Sequence, residues 1–368
     1  MSATSAIAAV RGESHSASEW RLMWVKFKDH RLALASLAVL GLFYGIALVA
    51  PFLAPYDSWQ PSRFAFAPPA KLHFFLPGHW GRPAVYGMKV ISNPETFERT
   101  TLPDPTKILP VRFFVRGSQY TWFGLIDSNL RLFGVDDGQI NLLGTDILGR
   151  DCFSRAILAT RISVTVGIVG VLITFVLGAL IGGASGYYGG VVDNVTQRFL
   201  EFVTCVPTIP MWMALGAAIP SYWSDVKVYF SITIILALRS WTGLSRQVRS
   251  KLLQLRDEEY VVAARVAGAS DSRIILTHLL PGFASYLIVS LTLEIPRMIL
   301  GETTLSFFGL GLRPPTVSWG VLLQDAQNLA AISSYPWLMF PAVMVVICVL
   351  AFNFLGDGLR DAADPYKE

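Results

Sequence analysis

The chain has 368 residues, 53% of them hydrophobic and only 15% charged, with a formal net charge of +4 at pH 7. Soluble domains carry about a quarter charged residues, so this composition excludes an ordinary soluble protein and indicates a membrane protein. The cations are scattered and flank apolar runs, which argues against a nucleic-acid-binding function.

The N-terminal segment, residues 1–31, is predicted to be cytoplasmic. Residues 1–18 are polar and small, a composition that predicts disorder. In residues 18–31, aromatic and aliphatic side chains alternate with cations after Ser18, which is a possible helix N-cap. This pattern is typical of a helix that lies at the membrane interface, and it suits a helical extension of the first span equally well.

Runs of about 18 or more apolar residues predict membrane-spanning helices. About six such runs follow one another, and we refer to them as spans one to six: residues 32–54, 162–188, 202–219, 228–244, 283–300 and 337–355. The fourth run is short, and the pattern does not define its end. The sequence therefore predicts an all-α polytopic membrane protein.

The distribution of cations predicts how the spans are oriented. One cluster precedes span one and another follows span four, which places both clusters in the cytoplasm. An even number of spans then puts the N-terminus and the C-terminal tail, residues 357–368, on the cytoplasmic side. Arg150, Arg155 and Arg161 fall outside by this scheme, at the end of a long loop where the rule is weak. Because span one begins late and no A-x-A-like site follows it, we expect a signal anchor.

Residues 55–158 are predicted to form an extended outer-face segment between spans one and two. A loop of this length without structure of its own would be unusual. Three β-type runs occur within it: RFFVRG, YTWFGLI and LRLFGV. We expect a small domain or cap whose aromatic side chains either fill a small core or contact a solute or a partner protein.

The stretch LLGTDILGRDCFSRAILATRIS, residues 142–163, leads into span two. Gly144 and Gly149 predict turns, and Asp151 is a candidate cap for the helix that follows. No G-x-x-x-x-G-K-[ST] phosphate loop occurs in the chain. If transport here uses ATP, the ATPase is therefore expected on another polypeptide.

Span two ends in GALIGGASGYYGG, residues 178–190. Small residues at close spacing allow two helices to approach each other in lipid. The helix they contact is predicted to lie either in the same chain or in a partner subunit. In span three, Pro207 and Pro210 predict a bend.

Residues 258–281, EEYVVAARVAGASDSRIILTHLLP, form a polar, Ala-rich segment between spans four and five. Two short helical patterns meet at Gly268, where we expect a sharp turn, and Pro281 is expected to stop the second pattern. A rigid helix–Gly–helix that protrudes from the bilayer suits a chain that a partner must push. The segment therefore indicates a transport subunit that is driven from outside itself.

The same segment resembles the cytoplasmic coupling loop of ABC-importer permeases. It reads Ala263-Ala264-Arg265-Val266-Ala267-Gly268 and closes with His278-Leu279-Leu280-Pro281, although Val262 stands where the family has Glu. Further motifs, LLGTDILGRD, SGYYGGVVD, ETTLSFFGLGLRPPTVSWG and NFLGDGLRDAADP, are similar to those of peptide/nickel importer permeases, and in particular of the C-type dipeptide/oligopeptide subunit. Together they cover nearly everything from residue 142 onward, plus span one.

The resemblance implies a type I ABC-importer transmembrane domain with a permease core at residues 159–356 and a coupling loop at residues 245–281. It implies a subunit of the bacterial inner membrane that works with a second permease, two ATPase subunits and a periplasmic solute-binding protein to import a peptide or peptide-like solute. ATP and Mg would be bound by the ATPase subunits, and no cofactor is expected in this chain. The residues expected to couple to the ATPase are Glu259, Ala263, Ala264, Arg265, Gly268, His278 and Pro281.

Three ionisable residues, Glu294, Arg297 and Glu302, lie in or at the end of span five. Such groups are costly inside a bilayer and tend to face the interior of a helix bundle or a cavity. Glu294 and Arg297 are three residues apart, so they share a helix face and are able to pair. We expect the three residues to line the solute path or its outer gate. The alternative is a structural ion pair that stabilises helix packing.

Two other functions are alternatives to a permease subunit. A stand-alone secondary transporter or channel would carry ionisable groups in several spans, whereas here they concentrate in span five. An intramembrane enzyme would need a nucleophile–base pair or a metal set, and neither is evident in the sequence. Cys152, Cys205 and Cys348 are too few and too dispersed for a disulfide framework or a metal site. A non-catalytic permease subunit is therefore the leading interpretation.

Overall fold

The computed structural model of the chain describes residues 19–75, 81–92, 94, 99–122, 124–327 and 333–363. The helices, in chain order, are α1 Glu19–Asp29, α2 Arg31–Leu53, α3 Cys152–Tyr188, α4 Gly190–Cys205, α5 Thr208–Ala217, α6 Asp225–Leu255, α7 Glu259–Val266, α8 Ala284–Phe307, α9 Trp319–Gln324 and α10 Phe340–Ala363. The strands are β1 Ala84–Ser92, β2 Arg99–Pro110, β3 Arg112–Trp122 and β4 Ile126–Gly134. Ser18, the candidate N-cap, lies outside the described residues.

Within the described part of the chain, five helical runs are long and apolar enough to cross a membrane. They are α2, α3, α6, the run Asp271–Phe307 that contains α8, and the run Pro336–Ala363 that contains α10. Helices α4 and α5 make a sixth candidate if they are taken together as one broken span. The prediction of a helical polytopic protein with about six spans is confirmed, and the named strands all lie in the outer segment.

The amphipathic N-terminal segment forms a helix of its own. α1 ends at Asp29, and α2 begins at Arg31 after His30, whose ring Nδ1 accepts a hydrogen bond from the Ala33 N–H at 3.1 Å. This side-chain cap satisfies one of the free amides at the start of α2. The segment is therefore a helix of its own and not a continuous extension of span one.

Span three is broken into two helices and is longer than predicted. α4 and α5 meet at an angle of 80° around Pro207. Val206 has an extended backbone (φ −78°, ψ 125°) because the residue before a proline avoids the helical region. The predicted bounds, 202–219, are wrong, but the bend expected at the prolines is present.

The cytoplasmic loop is shorter than the predicted 245–281. α6 continues to Leu255, and its Val248 and Leu252 are fully buried at helical spacing, which holds the polar end of α6 in a helix. Pro281 does not stop the second helical pattern. It occupies the first turn of a 3-10 segment, Leu280–Phe283, where a missing N–H is tolerated, and α8 follows directly.

Two predicted domain boundaries fall inside helices. α3 begins at Cys152, so the predicted limit of the outer segment at residue 158 lies within it, and α10 continues to Ala363, past the predicted core end at residue 356. The start of α3 is set by Asp151, which caps the helix as predicted. Its carboxylate accepts hydrogen bonds from the Ser154 N–H and hydroxyl, both at 2.7 Å.

The outer segment contains two antiparallel hairpins. β1 pairs with β2 from Ala84↔Pro110 to Ser92↔Arg99, and β3 pairs with β4 from Arg112↔Gly134 to Trp122↔Ile126. The β-type runs RFFVRG and LRLFGV fall in β3 and β4, whereas YTWFGLI spans the hairpin tip, where Gly124 has φ +70°. The β1–β2 hairpin was not predicted, since its strands contain internal Gly and Pro.

A buried arginine joins the second hairpin to the membrane. Arg131 of β4 is 2% exposed, and its guanidinium donates to the backbone carbonyls of Pro51 at 2.6 Å and Ala54 at 2.9 Å. These carbonyls belong to the last turn of α2, where no intrahelical donor is available. The indole of Trp122 donates to the Leu48 carbonyl at 2.7 Å. The β3–β4 hairpin is therefore held against the outer end of α2.

A buried cluster of charges joins the start of α3 to the segment after α9. The Arg155 guanidinium is 2% exposed and pairs with Asp146 and, at 2.9 Å, with Asp325. Arg150 donates to Asp146 at 2.7 Å and lies over the ring of Trp59 at 4.8 Å from the centroid. Buried charges of this kind persist because each has a partner.

The Gly-rich end of span two packs against α6 of the same chain. A Cβ built on Gly182 would lie 2.9 Å from the Ser245 Cα, and one on Gly186 would lie 3.0 Å from the Arg249 Cα. A side chain has no room at either glycine, which is why small residues are needed there. Of the two alternatives for this motif, contact within the chain is the one the fold adopts.

Candidate functional site

Helix α7 has one buried face and one exposed face. Val261 is fully buried and packs in a cluster with Ile274 and Leu279 of the helical run that returns to the membrane. The opposite face carries side chains at spacings of three and four residues, all exposed: Glu259, Val262, Ala263 and Val266. This apolar exposed face, with Val266 at 84% exposure, is available for contact with another protein.

Gly268 ends α7 in a Schellman motif. Its φ is +82°, and its N–H donates to the Arg265 carbonyl at 3.1 Å, while the Ala269 N–H donates to the Ala264 carbonyl at 3.0 Å. The left-handed backbone explains why glycine stands at this position. The sharp turn expected at Gly268 is therefore present, and it directs the chain from α7 into the run that leads to α8.

The coupling residues predicted beyond Gly268 lie off the exposed face of α7. His278 is half-buried in a π-helical turn, Ile274–Leu279, and Pro281 is exposed one turn later. Burial, together with the nearby Glu258, raises the pKa of Tyr260 in α7. Among the described residues, no group of three or more His, Cys, Asp or Glu side chains is placed to hold a metal ion.

Side-chain contacts tie the loop to the end of α3, and a second set ties α6 to α4 nearby. The Arg265 guanidinium lies over the Tyr187 ring, 5.7 Å from its centroid, and the Tyr187 hydroxyl donates to Asp271 at 2.9 Å. On the neighbouring surface, Arg249 of α6 donates to the carboxylate of Asp193 in α4 at 2.5 Å. Of these residues, only Arg265 was predicted from the sequence to couple to the ATPase, although the Tyr-Tyr-Gly-Gly motif at the end of span two was a signal for Tyr187.

A cavity of about 380 Å³ lies within the membrane part of the structure. Both Glu294 and Arg297 of α8 line it, and they form the ion pair that their spacing predicts, with Arg297 Nη1 at 3.1 Å from Glu294 Oε2. Residues from three other helices complete its wall. Among these, the sequence reasoning missed Thr174 of α3, Trp212 of α5 and Arg239 of α6.

Glu302 is separate from this cavity. Its side chain is fully buried and accepts hydrogen bonds from the Ser306 hydroxyl at 2.7 Å and the Ser163 hydroxyl at 3.3 Å. Ser163 also accepts from the Trp319 N–H at 3.0 Å. The structure thus brings Glu294 and Arg297 together and places Glu302 in a polar contact between α3, α8 and α9.

Two family models match this chain. The first is described as the inner membrane component of binding-protein-dependent transport systems and matches residues 161–367. The second is described as the N-terminal TM domain of oligopeptide transport permease C and matches residues 18–69. Both hairpins lie between these two ranges.

Named permeases of peptide transport systems are also similar to this chain. The chain is similar to the oligopeptide transport system permease protein OppC of Bacillus subtilis, with 38% identity over 223 residues, 60% of this chain and 70% of that protein. It is similar to the dipeptide transport system permease protein DppC of the same organism, with 40% identity over 228 residues, 60% of this chain and 68% of that protein. A solved structure of the MetNI methionine ABC transporter aligns with 17% identity and a TM-score of 0.44, covering 57% of this chain and 97% of that one.

Proposed function

The chain belongs to the inner membrane components of binding-protein-dependent transport systems, and we propose that it is the permease subunit through which an importer carries peptides or peptide-like solutes. The named relatives that support this substrate class are an oligopeptide permease and a dipeptide permease. We place the chain in the bacterial inner membrane with both termini in the cytoplasm, in accord with its cation clusters.

The proposed assembly contains a second permease, two ATPase subunits and a periplasmic solute-binding protein. The chain itself is non-catalytic, and ATP and Mg are bound by the ATPase subunits. The observation that supports docking of separate ATPase subunits is the exposed apolar face of α7, a helix whose other face is anchored by Val261. Such a helix transmits a push because it cannot move without the helices behind it.

The contacts around α7 determine which helices move when an ATPase subunit displaces α7. Docking of Val262, Ala263 and Val266 in a groove of an ATPase subunit couples ATPase closure to α7. The Schellman turn at Gly268 holds α7 at a set angle to the helical run that leads to α8. Through Tyr187, movement of the loop is passed to the end of α3 as well.

The cavity between α3, α5, α6 and α8 is the proposed part of the solute path in this subunit. It is lined by Glu294 and Arg297, a pair of ionisable groups in a region where such groups usually serve a pathway. The Arg297 side chain is 75% exposed in this chain, and its partner Glu294 is 16% exposed. This supports the pathway role over a purely structural ion pair.

A pull-down of the tagged chain in mild detergent, with ATPase activity measured on the eluate, tests the proposed assembly. The wild-type chain is expected to bring a second permease and ATP-hydrolysing subunits with it. Val266→Asp places a charge on the exposed face of α7 and is expected to lose the ATPase subunits. Leu125→Asp is the matched control, because Leu125 is 85% exposed, against 84% for Val266, but lies at the tip of an outer hairpin.

The outcomes separate the alternatives. A lone chain without ATPase activity would support the stand-alone transporter or channel. If Val266→Asp recovers the ATPase subunits at the wild-type level, α7 is not their docking site. Equal losses with Val266→Asp and Leu125→Asp would mean that neither substitution reports on docking.

A further inference from the structure

Three buried polar atoms without a hydrogen-bond partner belong to residues that line the membrane cavity. They are the Thr174 hydroxyl oxygen, the Trp212 indole nitrogen and the Arg239 Nε. Buried polar groups are nearly always paired, because an unpaired one loses its hydration without compensation. Three such atoms beside one cavity mark this part of the membrane region as polar.

The three groups are presented by different helices and are held by packing. Thr174 of α3 is 1% exposed. The Trp212 ring of α5 lies against Gly301 of α8, where a Cβ would be only 3.1 Å from the ring, so the indole is fixed in place. Arg239 of α6 is half-buried, and its Nη1 donates to the Thr242 hydroxyl at 3.0 Å. A site built in this way is present before a ligand arrives.

The charge of the cavity favours an anion. Of its three ionisable residues, Glu294 and Arg297 neutralise each other in an ion pair. Arg239 makes no salt bridge within the described part of the chain. An arginine at membrane depth usually has a carboxylate or backbone carbonyls as partners. The cavity therefore has one positive charge that no carboxylate of the described residues neutralises, on a guanidinium group that matches a carboxylate.

We propose that this cavity binds the carboxylate of the transported solute, with the Arg239 guanidinium as its donor. The inference rests on the proposed function and identifies the solute group that the chain recognises, which in a peptide is the C-terminal carboxylate. The volume of about 380 Å³ lies in the range of small-molecule sites. Ser240, Gln247 and Ser290 line the same cavity and offer hydrogen bonds to a short peptide backbone.

A labelling experiment on the reconstituted importer tests this site without the binding protein. The native cysteines, Cys152, Cys205 and Cys348, are replaced by serine or alanine, and Ser290→Cys serves as a reporter in the cavity wall. Its rate of reaction with a membrane-permeant maleimide is measured with alanylalanine or with alanylalanine amide, which lacks the carboxylate. Alanylalanine is expected to slow the labelling, and the amide is not.

Substitution of Arg239 links that protection to the proposed donor. With Arg239→Gln, protection is expected to need about tenfold more alanylalanine or worse, the typical effect of removing a charged hydrogen bond. Arg239→Lys keeps the charge and is expected to restore part of the protection. Arg198→Gln is the control, because Arg198 is an exposed arginine on α4 outside the cavity, paired with Glu201. Co-purification of the other subunits shows that each variant is assembled.

The possible results are distinct. Equal protection by the acid and the amide, no protection by either, or full protection in Arg239→Gln would each overturn the carboxylate site. No protection by either peptide is also the result expected if a carboxylate of the second permease occupies the cavity. ATP-dependent uptake of alanylalanine, measured in the same vesicles with the binding protein added, reports on the proposed function separately. Normal uptake without acid-selective protection rejects this inference alone, whereas absence of uptake of any peptide rejects the proposed substrate class.

Discussion

Replacing Val261 with alanine is expected to loosen α7 from the membrane helices. Val261 is fully buried, in a cluster that includes Ile274, Leu279 and Phe283. Its neighbour Val262 has the same side chain but is 44% exposed on the other face of the helix. The variants Val261→Ala and Val262→Ala therefore make the same chemical change in opposite environments.

The size of the effect follows from burial. Alanine lacks two of the carbon atoms of valine, each worth about 0.8 kcal/mol when fully buried, and the cavity left behind adds to the loss. The packing of α7 is then weakened by about 2 kcal/mol in Val261→Ala. At the exposed Val262 the change is expected to stay below about 0.5 kcal/mol.

Hydrogen–deuterium exchange of the α7 amides, measured on the two permease subunits in nanodiscs without the ATPase, checks this difference. A loss of about 2 kcal/mol in opening free energy corresponds to exchange about 30-fold faster in Val261→Ala, with little change in Val262→Ala. In the assembled importer, Val261→Ala is also expected to lower the solute taken up per ATP hydrolysed, because a loosened α7 transmits less movement. Equal exchange rates in the two variants would refute the argument that Val261 anchors the helix.

Two further predictions concern helix packing and pH. Gly182→Ala is expected to destabilise the chain by about 1–3 kcal/mol, because the new Cβ would lie 2.9 Å from the Ser245 Cα. The control is Gly183→Ala, whose Cβ would meet only an ordinary contact at 3.5 Å. Thermal unfolding in detergent compares the two variants, and equal Tm values would contradict the packing argument. Burial raises the pKa of Asp151 from 3.8 to about 7, against the opposing hydrogen bonds from Ser154. The folded chain therefore holds a proton that the unfolded chain releases between pH 4 and 7, so Asp151 is expected to reduce stability as pH rises through this window and to add no slope above it. Asp151→Asn keeps the helix cap without titrating, and its Tm relative to wild type is expected to rise from pH 4 to 7; a constant difference would show that Asp151 is already ionised.

Much of the coupling segment was predictable because its structure is local. The turn at Gly268 depends on a backbone conformation that glycine adopts readily, and the short helix before it depends on the residues of α7 itself. The ion pair of Glu294 and Arg297 also follows from spacing on one helix. Helix bounds were less predictable, since the polar end of α6 is helical only because Val248 and Leu252 are buried by other segments.

The membrane cavity could not be predicted in the same way. Thr174, Trp212 and Arg239 lie in three separate apolar runs, and nothing in the sequence connects them with one another. Only the packing of α3, α5, α6 and α8 places them on one cavity and leaves their polar atoms without partners. Besides Glu294 and Arg297, the arginine inside the run 228–244 was a local signal of this site.

The sequence by itself determined the membrane class of the chain, the approximate spans, the glycine turn and the family resemblance, because hydropathy, backbone preference and motif spacing are properties of neighbouring residues. The tertiary structure alone decided that the glycines at the end of span two contact α6, that Glu302 lies apart from Glu294 and Arg297, and that the outer segment is held to α2 by Arg131. These are outcomes of burial and hydrogen bonding between residues far apart in the chain. Their energies depend on which surfaces meet, and no local pattern contains that information.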